Sequence, residues 1–169
     1  QAAINTLRKT CKYDRFSPAM DKYIRPYFFG GRVECFRGAG HWHGDLRMYD
    51  VNSMYPHVMA NFDHPVSRDV IIQNNPKRVN NDAHFIDLTC NSKGAFLLRK
   101  EDGGVHAPHG TYRFRTTIHE YRVALQHNLI EDQIIHSTIA FERVANFTDF
   151  VMPLYTRRAD IDRKSTRLN

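Results

Sequence analysis

The spacing of apolar positions changes several times along the chain, and each change marks an element. Leu46, Met48 and Asp50 alternate with Arg47, Tyr49 and Val51, and a period of two predicts a strand. An acid thus ends an otherwise apolar face, a placement that needs a reason because a buried charge is costly. Asn52 or Ser53 can cap a following helix, and Pro56 is tolerated in its first turn. Val58, Met59 and Phe62 share a face of that helix, and Asp63-His64-Pro65 stops it.

Downstream, residues 74–82 read as polar loop. Phe85–Cys90, Gly94–Arg99 and Gly110–Arg115 read as strands, with a turn at Asp102-Gly103-Gly104. Thr117-Ile118-His119-Glu120 forms a capping box, which starts a helix that turns Ile118, Tyr121, Ala124 and Leu125 inward and ends near Asn128. Ile134–Phe141 is a β-branched strand. Phe147, Phe150, Val151, Leu154 and Tyr155 have helical spacing that Pro153 should interrupt. Upstream, residues 2–12 suit a short helix with Ile4, Leu7 and Cys11 on one face, and Ser17-Pro18 marks a break. Tyr23–Phe36 is aromatic-rich and reads as extended chain interrupted at Gly30-Gly31. Gly38–Gly44 then turns a hairpin back into the strand at 46–51. The pattern predicts an α/β fold of the α+β type, an antiparallel sheet with helices on one face.

Composition changes this picture little. With 169 residues, 41% of them hydrophobic, the chain can bury a real core. It shows no internal repeat, and no apolar run approaches the ~20 residues that span a bilayer. Lys and Arg outnumber Asp and Glu by 24 to 18, a net charge of +6 that weakly favours a polyanionic partner. Cys11, Cys35 and Cys90 are too scattered for a disulfide framework and read as reduced thiols. His41 with His43 and His106 with His109 lack the Cys partners of a structural zinc site, so they read as loop histidines rather than a zinc-binding domain.

Asp50-Val51-Asn52-Ser53-Met54-Tyr55-Pro56 carries the chemistry. It resembles motif A of family B DNA polymerases, Asp-x-x-Ser-Leu-Tyr-Pro, with Met54 in place of Leu. The resemblance implies template-directed nucleotidyl transfer, in which two divalent cations clamp the attacking and leaving oxygens. It makes Asp50 a catalytic carboxylate and, with the Val51 carbonyl, a ligand of Mg²⁺ or Mn²⁺. Val51, Asn52, Ser53, Met54 and Tyr55 would line the incoming deoxynucleoside triphosphate, whose phosphates suit backbone N–H groups at a helix start. Tyr55 would be a steric gate against a 2′-hydroxyl.

Phe28-Phe29-Gly30-Gly31 resembles the Tyr-x-Gly-Gly motif of the protein-primed branch, with Phe28 where Tyr is usual, so that only a packing or stacking role carries over. There the motif faces template DNA and lies between the exonuclease and polymerase domains. Phe28, Gly30 and Gly31 become candidate DNA contacts, and Arg25 and Arg32 candidate phosphate contacts.

The family also implies domain limits. Residues 1–22 would connect to a preceding exonuclease domain, and 23–65 would be palm. Residues 66–145 would be the inserted subdomain that meets a terminal priming protein and DNA, with Arg99, Lys100, Arg113, Arg115 and Arg122 able to face phosphate. Residues 146–161 would lead towards motif B. The tail 162–169 resembles translated sequencing-adapter DNA. No Lys-x-x-x-Asn-Ser-x-Tyr-Gly and no Asp-Thr-Asp occurs, so the expectation is an inactive internal piece of a phage or linear-plasmid polymerase, working inside a cell with primer and template DNA. A non-catalytic DNA-binding remnant is the alternative.

Overall fold

A computed structural model describes residues 2–33, 35 and 40–166. The element order is α1 (Ala2–Thr10), α2 (Pro18–Ile24), a 3₁₀ turn (Arg25–Tyr27), α3 (Met54–Asn61), β1 (His64–Pro65), β2 (Val70–Asn74), β3 (Ala83–Lys93), β4 (Leu98–Arg99), β5 (Val105–His106), β6 (His109–Thr117), α4 (Ile118–Gln126), β7 (Ile130–Phe141), β8 (Val144–Ala145) and α5 (Thr148–Thr166). The fold is mixed helix and antiparallel sheet, as the spacing requires. The chain divides into two units, one made of residues 1–14, 33–66 and 143–169, the other of 15–32 and 67–142.

The second unit is built on an antiparallel sheet of order β2-β7-β3-β6. Its two faces differ in what covers them. Ile86, Leu88 and Cys90 alternate along β3 and, with Phe114 of β6, are fully buried. The capping box at Thr117 starts α4 directly off β6, and α4 lays Ile118, Tyr121 and Ala124 onto that face. Phe96 completes this core edge-on to Phe114, ring centroids 5.3 Å apart. The opposite face carries Phe85, Ile139 and Phe141, and segment 15–32 covers it. Phe16 packs on Phe141, and Tyr27 on Phe85 with centroids 5.3 Å apart. Register shifts between β3 and β7 bend the central pair, and Asp132 adopts a left-handed φ of 50° within β7.

In the first unit α3 and α5 pack together. Thr148 Oγ1 donates to the Ala60 carbonyl at 2.6 Å, and Phe147 N–H donates to the Met59 carbonyl at 2.8 Å. β1 and β8 pair His64 with Ala145 and Pro65 with Val144. Asp14 N–H donates to the Val66 carbonyl, Val66 N–H to the Arg143 carbonyl, and the Arg143 guanidinium returns to the Asp14 carboxylate at 2.6 Å.

Several expectations give way to longer-range forces. Residues 46–51 are not a strand. No described strand runs beside them to accept ladder hydrogen bonds, and Leu46 and Met48 are more than 90% exposed. Tyr23–Phe36 is not one extended segment. Ser17 caps a helix by accepting from Met20 N–H at 3.2 Å, Pro18 fills its first turn, and Tyr23 and Ile24 are carried into it. The Ser17-Pro18 break is thus a helix start. Phe36 and part of the 38–44 loop lie outside the described residues. Gly94–Arg99 is strand only at Leu98–Arg99, because Gly94 takes φ +79° and Ser92 Oγ accepts from Ala95 N–H. Pro153 does not break α5; the missing hydrogen bond is offset by the packing of Val151, which is buried. On α3 the covered residues are Ser53, Pro56, Met59 and Ala60, whereas Val58 and Phe62 are exposed. The helix partner α5 selects that face.

Candidate functional site

Asp50 lies in irregular chain just ahead of α3, exposed to solvent. The next residues make a tight turn in which Met54 N–H donates to the Val51 carbonyl at 3.3 Å. Ser53 occupies the N-cap position with φ 52° and ψ 39°, the left-handed region, and its side chain does not cap the helix. The sequence-based capping role of Asn52 or Ser53 is therefore not what starts α3. The turn does it, at a cost of roughly 1–2 kcal/mol for a non-glycine residue in this conformation. Strain of this kind persists where surroundings or function fix it. Tyr55, in the first turn, is 70% exposed, and Met54 and Asn52 are exposed beside it. A groove of about 370 Å³ opens between the two helices, lined by Asn52, Ser53, Pro56, His57, Val151 and Tyr155 among others.

The donor set here is hard oxygen: the Asp50 carboxylate and the Val51 carbonyl, which keeps a second lone pair beyond its bond to Met54. Mg²⁺ takes one or two carboxylates and completes its shell with water and phosphate oxygens, so these residues fit such an ion as part of its shell. Among the described residues no three His, Cys, Asp or Glu side chains gather as a metal cluster. That holds for the histidines at 41, 43, 106 and 109. Also among the described residues, no helix is long and apolar enough to cross a membrane.

The remaining sequence-selected residues belong to the second unit, up to Arg32. Arg25 is ion-paired with Asp21 one turn earlier, at 2.5 Å. Phe28 follows the 3₁₀ turn, 68% exposed, with its N–H bonded to the Arg25 carbonyl. A Cβ on Gly30 would meet open space, so internal packing does not require glycine there. Gly31 is exposed. Arg32 donates to the Gly94 carbonyl at 3.2 Å.

A buried ionic cluster escaped the sequence reading. Asp87 sits on β3 two residues beyond Phe85, on the face that segment 15–32 partly covers, and is 3% exposed. Arg113 grips both its oxygens at 2.8 and 3.0 Å, and Arg115 Nε donates at 3.1 Å. Burial pushes the Asp87 carboxyl up, but hydrogen bonds and charge from Arg113 and Arg115 overcome this and hold it below the usual carboxylate range. Burial first, and the Asp87 charge second, push the Tyr27 hydroxyl up to about 12. Burial alone raises the Cys90 thiol to about 11, which keeps it an inert core residue. The available signal was register: Arg113 and Arg115 alternate on β6 as Phe85, Asp87 and Thr89 alternate on β3, and β3 pairs directly with β6. Two of the seven arginines and lysines expected to face phosphate, Arg113 and Arg115, are thus tied to an internal acid.

Comparison with known proteins fits this arrangement. Over 156 residues, or 92% of its length, the chain is 33% identical to the DNA-directed DNA polymerase of Enterobacteria phage PRD1. Over 141 residues it is 26% identical to a probable DNA polymerase of Ascobolus immersus. It spans 27% and 11% of those two proteins. Its fold matches solved structures of Phi29 DNA polymerase. One crystal form has a TM-score of 0.60 at 14% identity, covering 89% of this chain and 30% of that one. The complex with primer-template DNA and incoming nucleotide substrates has a TM-score of 0.56 at 16% identity, covering 90% and 31%. The family model for DNA polymerase type B, organellar and viral, matches residues 2–168. The chain therefore belongs to the organellar and viral type B DNA polymerases, the protein-primed branch of family B.

Proposed function

We propose that this chain supplies the motif A part of a protein-primed DNA polymerase, with Asp50 as its catalytic, metal-binding carboxylate. One observation carries the reading: the Asp50–Pro56 run turns through a strained left-handed Ser53 into α3 and leaves the Asp50 carboxylate and the Tyr55 ring exposed on either side of that turn. In phosphoryl transfer the protein's task is positioning and charge stabilisation. Asp50 and the Val51 carbonyl would hold Mg²⁺, which when bound would neutralise charge on the phosphate oxygens. The backbone N–H groups of Asn52, Ser53 and Tyr55 face the triphosphate, that of Met54 being bonded to the Val51 carbonyl, with Ser53 and Met54 along it. Tyr55 packs under the deoxyribose and excludes a 2′-hydroxyl. Phe28, Gly30, Gly31, Arg25 and Arg32 face template DNA. Residues 66–145 form the inserted subdomain, for which a terminal priming protein is the partner. Palm residues 23–65 and the helix from 146 complete the assignment.

Asp50→Asn tests the catalytic role. It keeps the side chain's shape and removes the charge. In a complete polymerase carrying this sequence, nucleotide incorporation should fall by at least 10³-fold, roughly 4 kcal/mol of transition-state stabilisation, while primer-template affinity stays within about twofold. Incorporation at a tenth of the parent rate or better removes Asp50 from the chemistry.

A further inference from the structure

The Phe28–Gly31 segment is held from outside itself, and one side chain does most of the holding. Arg99, on β4, donates from Nη2 to the Phe28 carbonyl at 2.6 Å. Its guanidinium carbon also lies over the Phe29 ring, 4.8 Å from the centroid, within the range of a cation–π contact. The Phe28 N–H is bonded to the Arg25 carbonyl at 3.1 Å. Both backbone polar groups of Phe28 are thereby engaged. Its neighbour Phe29 is half-buried under the guanidinium, yet Phe28 is 68% exposed. An exposed aromatic residue on a backbone held at both ends has its Cα position settled in advance of any contact, with only the side-chain torsions left free.

We propose that Arg99 is a positioning residue: it clamps the Phe28–Phe29 backbone so that the Phe28 ring is presented for stacking on an unpaired template base. The role rests on the reading that this segment faces DNA. It differs from a phosphate contact, the role that sequence alone suggested for Arg99, because one N–H donor of the guanidinium and one of its flat faces are engaged by protein. Lysine cannot replace it. An ammonium keeps the charge but cannot lie flat on Phe29 while it reaches the Phe28 carbonyl. Arg99, Phe28 and Phe29 all belong to the second unit, so the clamp moves with the ring it positions.

The test uses the 169-residue chain and a fluorescein-labelled single-stranded oligodeoxynucleotide, with binding read by anisotropy across a salt series and folding checked by circular dichroism. Phe28→Ala should weaken binding roughly 5- to 150-fold, the range for loss of one base stack. Arg99→Ala should weaken it roughly 3- to 10-fold with the salt dependence unchanged, since no phosphate contact is lost. Arg99→Lys should behave as Arg99→Ala, and it keeps the test open should the alanine variant fail to fold. The double variant should bind no more weakly than Phe28→Ala alone, because the two residues act through one contact. A salt slope lowered by about one in Arg99→Ala marks a direct phosphate contact and overturns the proposal. So does parent-like binding by Arg99→Lys. If Phe28→Ala weakens binding but Arg99→Ala does not, Arg99 has no positioning role and the template reading stands. If Phe28→Ala binds as well as the parent, or the parent chain binds no DNA, the template reading itself falls and takes the clamp with it.

Discussion

Arg113→Ala should destabilise the second unit by about 1.5–3 kcal/mol, and the size follows from the Asp87 cluster. The Asp87 side chain is 4% exposed and accepts three N–H bonds, two of them from Arg113. Removing Arg113 leaves a buried carboxylate with the single 3.1 Å bond from Arg115. Breaking a fully buried pair costs about 3–5 kcal/mol. Here the Arg113 side chain is 57% exposed, so water already screens the pair and can partly replace the lost donor, which lowers the figure. Asp87→Asn, which keeps the volume and loses the charge, should cost about 1–2 kcal/mol. The sign with pH is fixed by the lowered Asp87 carboxyl. Its contribution is fully present above the unfolded carboxylate value, near 4, and is lost as pH falls through the lower, folded value. Urea unfolding of the parent chain should therefore lose stability as the medium is acidified below pH 4, and Asp87→Asn should flatten that dependence. An Arg113→Ala cost under about 0.5 kcal/mol at pH 7, or an unchanged acid slope in Asp87→Asn, would show that the cluster is no more than a surface ion pair.

Three further outcomes can be checked. Thr117→Ala should lower thermal stability by about 1 kcal/mol: it removes the cap on Glu120 N–H, and the Glu120 carboxylate keeps only its bonds from Thr116 Oγ1 and the residue-117 N–H. Ser53→Gly relieves the left-handed strain, so calorimetry should show a gain of about 1 kcal/mol; incorporation by a complete polymerase should fall, because the same turn sets the backbone beside Asp50. Tyr55→Val in that polymerase should raise ribonucleotide incorporation relative to deoxyribonucleotide at least tenfold, about 1.4 kcal/mol, and an unchanged ratio in a gel-based competition would rule out the gate.

How legible each part was depended on how locally it is encoded. The Thr117 capping box needs four consecutive residues, and α4 starts where those residues say. The strands β3, β6 and β7 were visible in part, as Phe85–Cys90, Gly110–Arg115 and Ile134–Phe141, and the sheet extends each of them. Residues 46–51 alternate, yet a strand also needs a neighbour, and alternation does not name one. Tyr23 and Ile24 have β propensity, but a cap and a proline five or six residues earlier outweighed it. The Asp50–Pro56 run stood out because its seven residues are adjacent, and they form one turn into α3. Asp87 was not, since its partners lie 26 and 28 residues on and become neighbours only through β3–β6 register. Arg99 was noticed only as a charge; that it faces the Phe28 carbonyl, 71 positions away, is a fact of tertiary structure.

The hydrogen bonds joining Asp14, Val66 and Arg143 have a topological consequence. Three of the four points where the chain passes from one unit to the other are stitched to one another, and β1 beside β8 sets the ends of segment 67–142 antiparallel and adjacent. A segment that leaves and returns at one place can be lengthened, shortened or excised by altering a loop, because closing the gap needs only a tight turn. The dependency runs through residues 15–32 instead. They cover Phe85 and Phe141, so excision of 67–142 alone would strand Phe16, Ile24 and Tyr27 without the surface they pack on. The transplantable module is therefore discontinuous in sequence, and any graft of it has to carry both stretches.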